Sequence, residues 1–155
     1  MFKKIITTLL ILFVIAQFFN PQKNEYTKAP DSDFILTENP PKQLADILKE
    51  SCYDCHSNNT RYPWYDKITP VNFWVNGHIK HAKEELNFSL WSQYNAKRKV
   101  HKLEECIEMI NDRAMPLESY LLTHSEAKLS DTEIKLLTDW ITFLKIKHEI
   151  TDLPM

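Results

Sequence analysis

The sequence predicts an all-α fold, and three observations support that prediction. Apolar residues recur at helical spacings in several stretches, and Ser130-Asp131-Thr132-Glu133 forms a capping box that starts the last of them. The alternation of apolar and polar residues that is typical of strands is weak throughout. At 155 residues, the chain has the length of about one domain.

The first twenty residues have the pattern of an export signal. Lys3 and Lys4 precede residues 5–19, which carry no charge. The lysines are expected to stay in the cytoplasm, so the rest of the chain is predicted to lie outside it. Fifteen helical residues cover about 22 Å, which is less than the roughly 30 Å thickness of the bilayer core. Snorkelling of the lysine side chains and local thinning of the bilayer can close this difference. We predict that residues 1–20 are a signal anchor or signal peptide, and we prefer an uncleaved anchor.

The remainder of the chain is divided into a tether, a domain and a tail. Residues 21–39 contain Pro21, Pro30 and the polar run Asp31-Ser32-Asp33, a composition typical of linkers. We therefore predict a tether over residues 21–39. The predicted domain covers residues 40–148, and residues 149–155 are expected to be a tail.

Four helices are predicted within the domain. Pro41 suits the first turn of the first helix. Thr69-Pro70 is expected to cap and start the second, with Phe73 or Trp74 and later Leu86 on its inner side. The apolar stripes of the first, third and fourth helices are Leu44, Ile47 and Leu48; Val100, Leu103, Ile107 and Ile110; and Ile134, Leu137, Ile141 and Leu144.

Composition excludes several classes of protein. With 19 Lys and Arg against 21 Asp and Glu, the net charge of −2 is too balanced for a nucleic-acid-binding protein. The single glycine, Gly77, excludes the glycine-rich phosphate loops GxGxxG and GxxxxGK[ST]. Three cysteines are too few for a disulfide scaffold. Cys106, near the apolar face of the third helix, is expected to be a buried free thiol.

The chemistry is predicted to lie in Cys52-Tyr53-Asp54-Cys55-His56, which is C-x-x-C-H, the attachment signature of c-type haem. Thiols at positions i and i+3 lie on one side of a helical turn. Each can therefore form a thioether with one vinyl group of the same porphyrin. His56 is then carried under the iron as its proximal ligand. We predict one covalently bound haem c.

Met115 is the preferred sixth ligand of the iron. It lies in the loop between the third and fourth helices, and its thioether is a soft, neutral ligand that raises the reduction potential. Pro116 is expected to end the preceding helix and to stiffen the loop. Met109 falls within a helix and is expected to pack in the core. His78 and His124 are the alternative sixth ligands.

Several further stretches accompany the C-x-x-C-H signature. They are Ser57-Asn58, Tyr62-Pro63-Trp64-Tyr65, Leu86-Asn87-Phe88-Ser89-Leu90-Trp91, Met115-Pro116-Leu117, Tyr120-Leu121-Leu122-Thr123-His124, and Ala127-Lys128-Leu129-Ser130 running on to Trp140. In these stretches the chain resembles the small haem-binding, cytochrome-c-like domain family of single-pass bacterial envelope proteins. The resemblance implies a helical domain wrapped around a covalent haem, attached through Cys52 and Cys55 and ligated by His56.

The predicted function is a membrane-anchored c-type cytochrome that carries single electrons; whether it is an enzyme is left open, and a non-enzymatic electron carrier is preferred. It is expected on the periplasmic side of the inner membrane, anchored through residues 5–19, where it serves an unidentified redox partner protein. The alternative is a haem-based gas sensor or peroxide-reducing site with an open or weakly capped sixth position. In that alternative, His78 or His124 acts as a distal hydrogen-bond donor.

Two interpretations of the cysteines need no haem. Cys52 and Cys55 can form a redox dithiol, which is typical of a βαβ context that this sequence does not show. They can also contribute to a zinc site completed by His78 and His81, which are spaced i, i+3 on the second helix. The zinc interpretation leaves His56, directly after Cys55, without a role.

Overall fold

The computed structural model describes residues 1–26 and 28–151, and in these ranges every regular element is helical. The α-helices of this described part are α1 (Phe2–Ala16), α2 (Phe34–Glu38), α3 (Lys42–Ser51), α4 (Tyr53–His56), α5 (Val71–Glu85), α6 (Ala96–Asn111), α7 (Glu118–Leu121) and α8 (Asp131–Thr151). Within the same ranges, 3-10 helices occur at Trp64–Lys67, Phe88–Gln93 and Ser125–Ala127. The all-α prediction is confirmed.

The core forms where α3, α6 and α8 pack together, and the most extensive contact is between α6 and α8. Most of the predicted stripes lie in this core, and its buried members include Leu44, Leu48, Leu103, Ile110, Leu137, Ile141 and Leu144. The capping box of α8 is also confirmed. The Ser130 N–H donates to Glu133 Oε2 at 2.8 Å, and the Glu133 N–H donates to Ser130 Oγ at 3.3 Å.

Part of the predicted tether, residues 21–39, packs against the domain in the structure, although the domain was predicted to start at residue 40. Phe34 is only 2% exposed, and its ring packs edge-on against Trp91 with 4.9 Å between centroids. The side chain of Asp33 caps α2 by accepting a hydrogen bond from the Ile35 N–H at 3.0 Å. The polar and proline-rich composition that indicated a linker therefore belongs to caps and turns of the folded domain.

The chain that leaves α1 docks on the domain, and we call residues 17–24 the docked segment. The Gln17 side chain accepts from the Thr69 N–H at 2.9 Å and donates to the Thr69 carbonyl at 3.2 Å. The Asn24 side chain donates to the Ser57 carbonyl at 2.8 Å and to Thr60 Oγ1 at 2.9 Å. These hydrogen bonds fix the end of α1 against the start of α5 and against the loop that follows α4.

The described residues contain no helix that combines the length and the hydropathy needed to cross a membrane. The helix α1 has no buried residue, and its large apolar side chains lie exposed.

The second predicted helix is present as α5, but its orientation was predicted wrongly. Phe73 and Trp74 are about half exposed, at 48% and 52%, whereas Asn72 is buried. The Asn72 side-chain amide donates to Thr69 Oγ1 and to Asn20 Oδ1, both at 3.0 Å, so hydrogen bonding determines which face is inside. Thr69 also does not cap α5, since its hydroxyl donates to the Phe19 carbonyl at 3.1 Å. Leu86, just beyond the helix, is buried as predicted.

The ends of α6 and α8 differ from the predictions as well. Pro116 does not end α6, because the helix stops at Asn111 and Arg113 adopts the left-handed conformation with φ 54°. The helix α8 continues to Thr151, so residues 149–151 are helical rather than a tail. The rest of the predicted tail, residues 152–155, lies outside the described residues.

A buried carboxylate joins α2 to α8. Glu38 accepts hydrogen bonds from Trp91 Nε1 and His148 Nε2 at 2.8 Å each, and from Lys147 Nζ at 2.9 Å. Burial alone raises the pKa of Glu38, but these three donors outweigh it, and the pKa is lowered from its ordinary value.

Candidate functional site

A cavity of about 380 Å³ with mainly apolar walls lies between α3, α4, α5, α6 and the 3-10 helix Phe88–Gln93. Its volume falls within the usual range for small-molecule and cofactor sites, about 300–1,000 Å³. All four residues predicted to hold a haem line this cavity, namely Cys52, Cys55, His56 and Met115. The cavity is therefore the candidate functional site.

The helical turn α4 presents both cysteines to the cavity. It follows α3 almost without a break, since the Cys52 N–H donates to the Leu48 carbonyl at 2.9 Å. The His56 N–H then donates to the Cys52 carbonyl at 3.0 Å, which closes one helical turn over the motif. Because residues three apart lie on one side of such a turn, Cys52 and Cys55 both face the cavity.

A backbone carbonyl orients the imidazole of His56. His56 Nδ1 lies 3.0 Å from the Leu86 carbonyl oxygen, so Nδ1 carries the proton in this contact and Nε2 carries the lone pair. Burial lowers the pKa of His56, although the Leu86 and Ala82 carbonyls act in the opposite direction. His56 is thus a neutral imidazole with a defined tautomer, which is the form that binds a metal.

Asp54, inside the motif, is the centre of a hydrogen-bond network that locks the turn. Its carboxylate accepts from the Arg61 N–H at 3.1 Å, from Arg61 Nε at 3.0 Å and from Arg61 Nη2 at 3.0 Å. The Tyr120 hydroxyl donates to the same carboxylate at 2.9 Å. Burial, together with Asp54, raises the pKa of Tyr120, which therefore stays protonated. The network joins α4, the following loop and α7.

Tyr53 anchors the opposite side of the motif to the core. Its hydroxyl donates to Asp33 Oδ1 at 2.9 Å, and its ring stacks on Phe88 with centroids 5.1 Å apart. Burial raises the pKa of Asp33, and the hydrogen bond from Tyr53 partly offsets that shift. The two residues between the cysteines are therefore both held by partners outside the motif.

The thiols of the cavity are poor nucleophiles in this fold. Burial raises the pKa of Cys52 to about 12, that of Cys55 to about 11 and that of Cys106 to about 12. A redox dithiol needs a lowered thiol pKa, so the surroundings of Cys52 and Cys55 do not suit that chemistry. Cys106 is a free thiol that packs against the core and also lines the cavity.

Two methionines line the cavity. The backbone after α6 folds back so that the N–H groups of Ala114 and Met115 donate to the Met109 carbonyl, at 2.9 Å and 3.2 Å. Met109, expected in the core, is 39% exposed and lies on the cavity wall with Met115. Spacing along the chain did not reveal this second thioether.

The histidines named as alternatives occupy different places. His78 lines the cavity, whereas His124 is absent from its wall and stacks on Tyr120, with ring centroids 4.1 Å apart. His81 is exposed and does not line the cavity. The two histidines of α5 therefore do not face the cavity together, as the zinc interpretation requires. In residues 1–26 and 28–151, no three His, Cys, Asp or Glu side chains are arranged to hold a metal ion.

Sequence reasoning did not identify Arg61 and Tyr120 as residues that support the site. They lie 7 and 66 residues from Asp54, and no local pattern links such separated positions. A polar residue between the two cysteines of a C-x-x-C motif is itself a weak signal that a partner exists elsewhere in the chain.

One of three comparisons with known proteins gave a match. No curated protein and no solved structure matches this chain. A family model described as a haem-binding domain matches residues 11–143, which include α4, α5, α6, α7 and every cavity residue named above.

Proposed function

This chain belongs to the haem-binding domain family, and we propose that it is a c-type cytochrome that carries single electrons. In this proposal one haem is attached through Cys52 and Cys55, with His56 and Met115 as its axial ligands. The observation that carries the proposal is that these four residues line a single, mainly apolar cavity.

The residues around the cavity fit a haem. The two thiols face one side of a single turn, the spacing that two vinyl groups of one porphyrin require. His56 offers the lone pair of Nε2, because its Nδ1 is engaged by the Leu86 carbonyl. Large apolar side chains, among them Phe88 and Trp91, form much of the remaining wall.

Each side chain has a distinct part in electron transfer. A bound haem supplies one-electron chemistry at its iron. The neutral thioether of Met115 favours the reduced state and so raises the reduction potential. Phe88, Trp91 and Leu103 exclude water, which also raises the potential. We call α4, where this proposal attaches the haem, the attachment turn. The contacts of Asp54 and Tyr53 hold it in one geometry, which keeps the reorganisation energy of electron transfer small.

Absorption spectra of the haem-matured full chain test this proposal. We expect a covalent c-type haem with the weak long-wavelength band of sulfur bound to ferric iron. Met115→Ala is expected to abolish that band and lower the reduction potential. Met109→Ala removes the other thioether of the cavity and is expected to keep both properties. If Met109→Ala alone abolishes the band, the ligand assignment is wrong.

Carbon monoxide distinguishes the electron carrier from a gas-binding or peroxide-reducing site. A six-coordinate iron with Met115 bound is expected to take up carbon monoxide slowly after reduction. Rapid binding in the unmodified chain indicates an open position beside His78, the alternative sixth ligand on the cavity wall. Zinc without iron in the purified protein contradicts every haem proposal.

We further propose that α1 attaches the domain to the periplasmic side of the inner membrane, where it meets a redox partner protein. The support is the charge pattern, in which Lys3 and Lys4 precede the uncharged residues 5–19. Separation of cell fractions, with alkaline extraction of the membranes, tests this location. Recovery of the protein in the cytoplasmic fraction refutes it.

A further inference from the structure

A continuous series of aromatic rings leads from the cavity to the protein surface. Tyr120 lines the cavity, and its ring stacks on His124 with centroids 4.1 Å apart and planes 7° apart. The ring of His124 meets Tyr65 edge-on at 6.1 Å, and Tyr65 meets Trp64 edge-on at 5.8 Å. Trp64 is 73% exposed, so the series ends in solvent.

Hydrogen bonds hold these rings in place. The Thr123 hydroxyl donates to the Tyr65 hydroxyl at 3.2 Å and lies 3.1 Å from His124 Nδ1. His124 Nδ1 also lies 3.2 Å from the Tyr120 carbonyl oxygen. At the inner end, the Tyr120 hydroxyl donates to Asp54, the residue directly before Cys55. The series therefore begins at the attachment turn.

The outer end of the series is open to solvent. Because most of the Trp64 side chain is exposed, a protein that donates electrons can approach its indole ring directly.

We propose that Tyr120, His124, Tyr65 and Trp64 form the electron route of this protein between the cavity and the surface at Trp64. This inference rests on the proposed electron-carrier function. One electron passes from a reduced one-electron carrier protein, which is thereby oxidised, to the ferric iron, which is reduced. No covalent bond forms or breaks and no proton is transferred, because the rings provide orbital overlap and are not themselves oxidised.

A second pair of rings offers a comparison. His78 lines the cavity and meets Trp74 edge-on at 4.5 Å, and Trp74 is half exposed. We prefer the His124 series because hydrogen bonds fix its rings and tie it to the attachment turn. Trp74→Leu is therefore the matched control for the experiment.

The test is photo-induced electron transfer within the haem-matured full chain. Lys67→Cys places one reactive thiol on the same face of the 3-10 helix as Trp64, three residues away, and a ruthenium polypyridyl photosensitiser is attached there. Cys52 and Cys55 are consumed as thioethers, and Cys106, which lines the cavity, is replaced by alanine in every variant, so the new thiol is the one labelled. Flash photolysis then measures the rate of haem reduction.

We expect His124→Leu and Tyr65→Leu to slow this reduction severalfold, with the haem spectrum and reduction potential unchanged. His124→Phe retains a ring and is expected to restore the rate, and Trp74→Leu is expected to leave it unaltered. Unchanged rates in both His124→Leu and Tyr65→Leu overturn the proposed route, as does an equal loss in Trp74→Leu. A full chain without covalent haem overturns the proposed function and this inference with it.

Discussion

Asp54→Asn tests whether the network around the attachment turn stabilises the fold. The substitution keeps the shape of the side chain but replaces Oδ2, or Oδ1, by an amide that cannot accept a hydrogen bond. At least one charge-assisted bond from Arg61 is lost, and such a bond contributes about 1.5–3 kcal/mol. The Arg61 side chain is 56% exposed, so water can solvate the guanidinium that is left behind. We therefore expect a loss of roughly 2–3 kcal/mol.

Asp46→Asn provides the matched control, because Asp46 also pairs with a cation but at the surface. The side chains of Lys42 and Asp46 are 88% and 54% exposed, and removing such a pair costs at most about 0.5 kcal/mol. Thermal unfolding of the full chain, followed by circular dichroism, measures both variants. We expect the midpoint of Asp54→Asn to fall by roughly 5–10 °C. Equal midpoints for the two variants refute the reasoning.

Two more predictions concern stability. The pKa of Glu38 is lowered in the folded state, so its contribution is present above its ordinary pKa of 4.5 and is lost as the pH falls through the lower folded value. Denaturant titrations should therefore show Glu38→Gln less stable than the parent at neutral pH, with a difference that shrinks below about pH 4.5; a constant difference contradicts this. Leu137→Ala removes a side chain with no exposure and should cost about 2–5 kcal/mol, whereas the exposed Leu36→Ala should cost under about 0.5 kcal/mol. Similar losses in these two leucine variants argue against the assigned core.

The sequence predicted those helices in which buried apolar residues recur at helical spacing. The stripes of α3, α6 and α8 are long enough for helical spacing to be visible, and they form the core. The C-x-x-C-H signature was visible because all of its chemistry lies within five consecutive residues. Helix α2 was missed because its five residues are too few for any period, although Phe34 is central to the core.

Hydrogen bonding accounts for most of the remaining differences between the sequence predictions and the structure. Phe73 and Trp74 were expected inside because they are apolar, but Asn72 occupies the inner face with its amide satisfied by Thr69 and Asn20. Such partners come from distant parts of the chain, and hydropathy does not encode them. The same holds for the supports of Asp54, which only the folded chain brings together.

The docked segment determines how far the domain can move from α1. A free linker of this length would let the domain sample many distances and orientations, as flexible chains do. Instead, the hydrogen bonds of Gln17 and Asn24 hold the end of α1 against the domain that contains the cavity. For an electron carrier, such docking restricts the motion of the domain relative to α1, so encounters depend more on diffusion of the partner and on rotation of the whole molecule. Under the proposed function, the docked segment therefore favours a relay that keeps its position relative to α1 over a domain that swings between a donor and an acceptor.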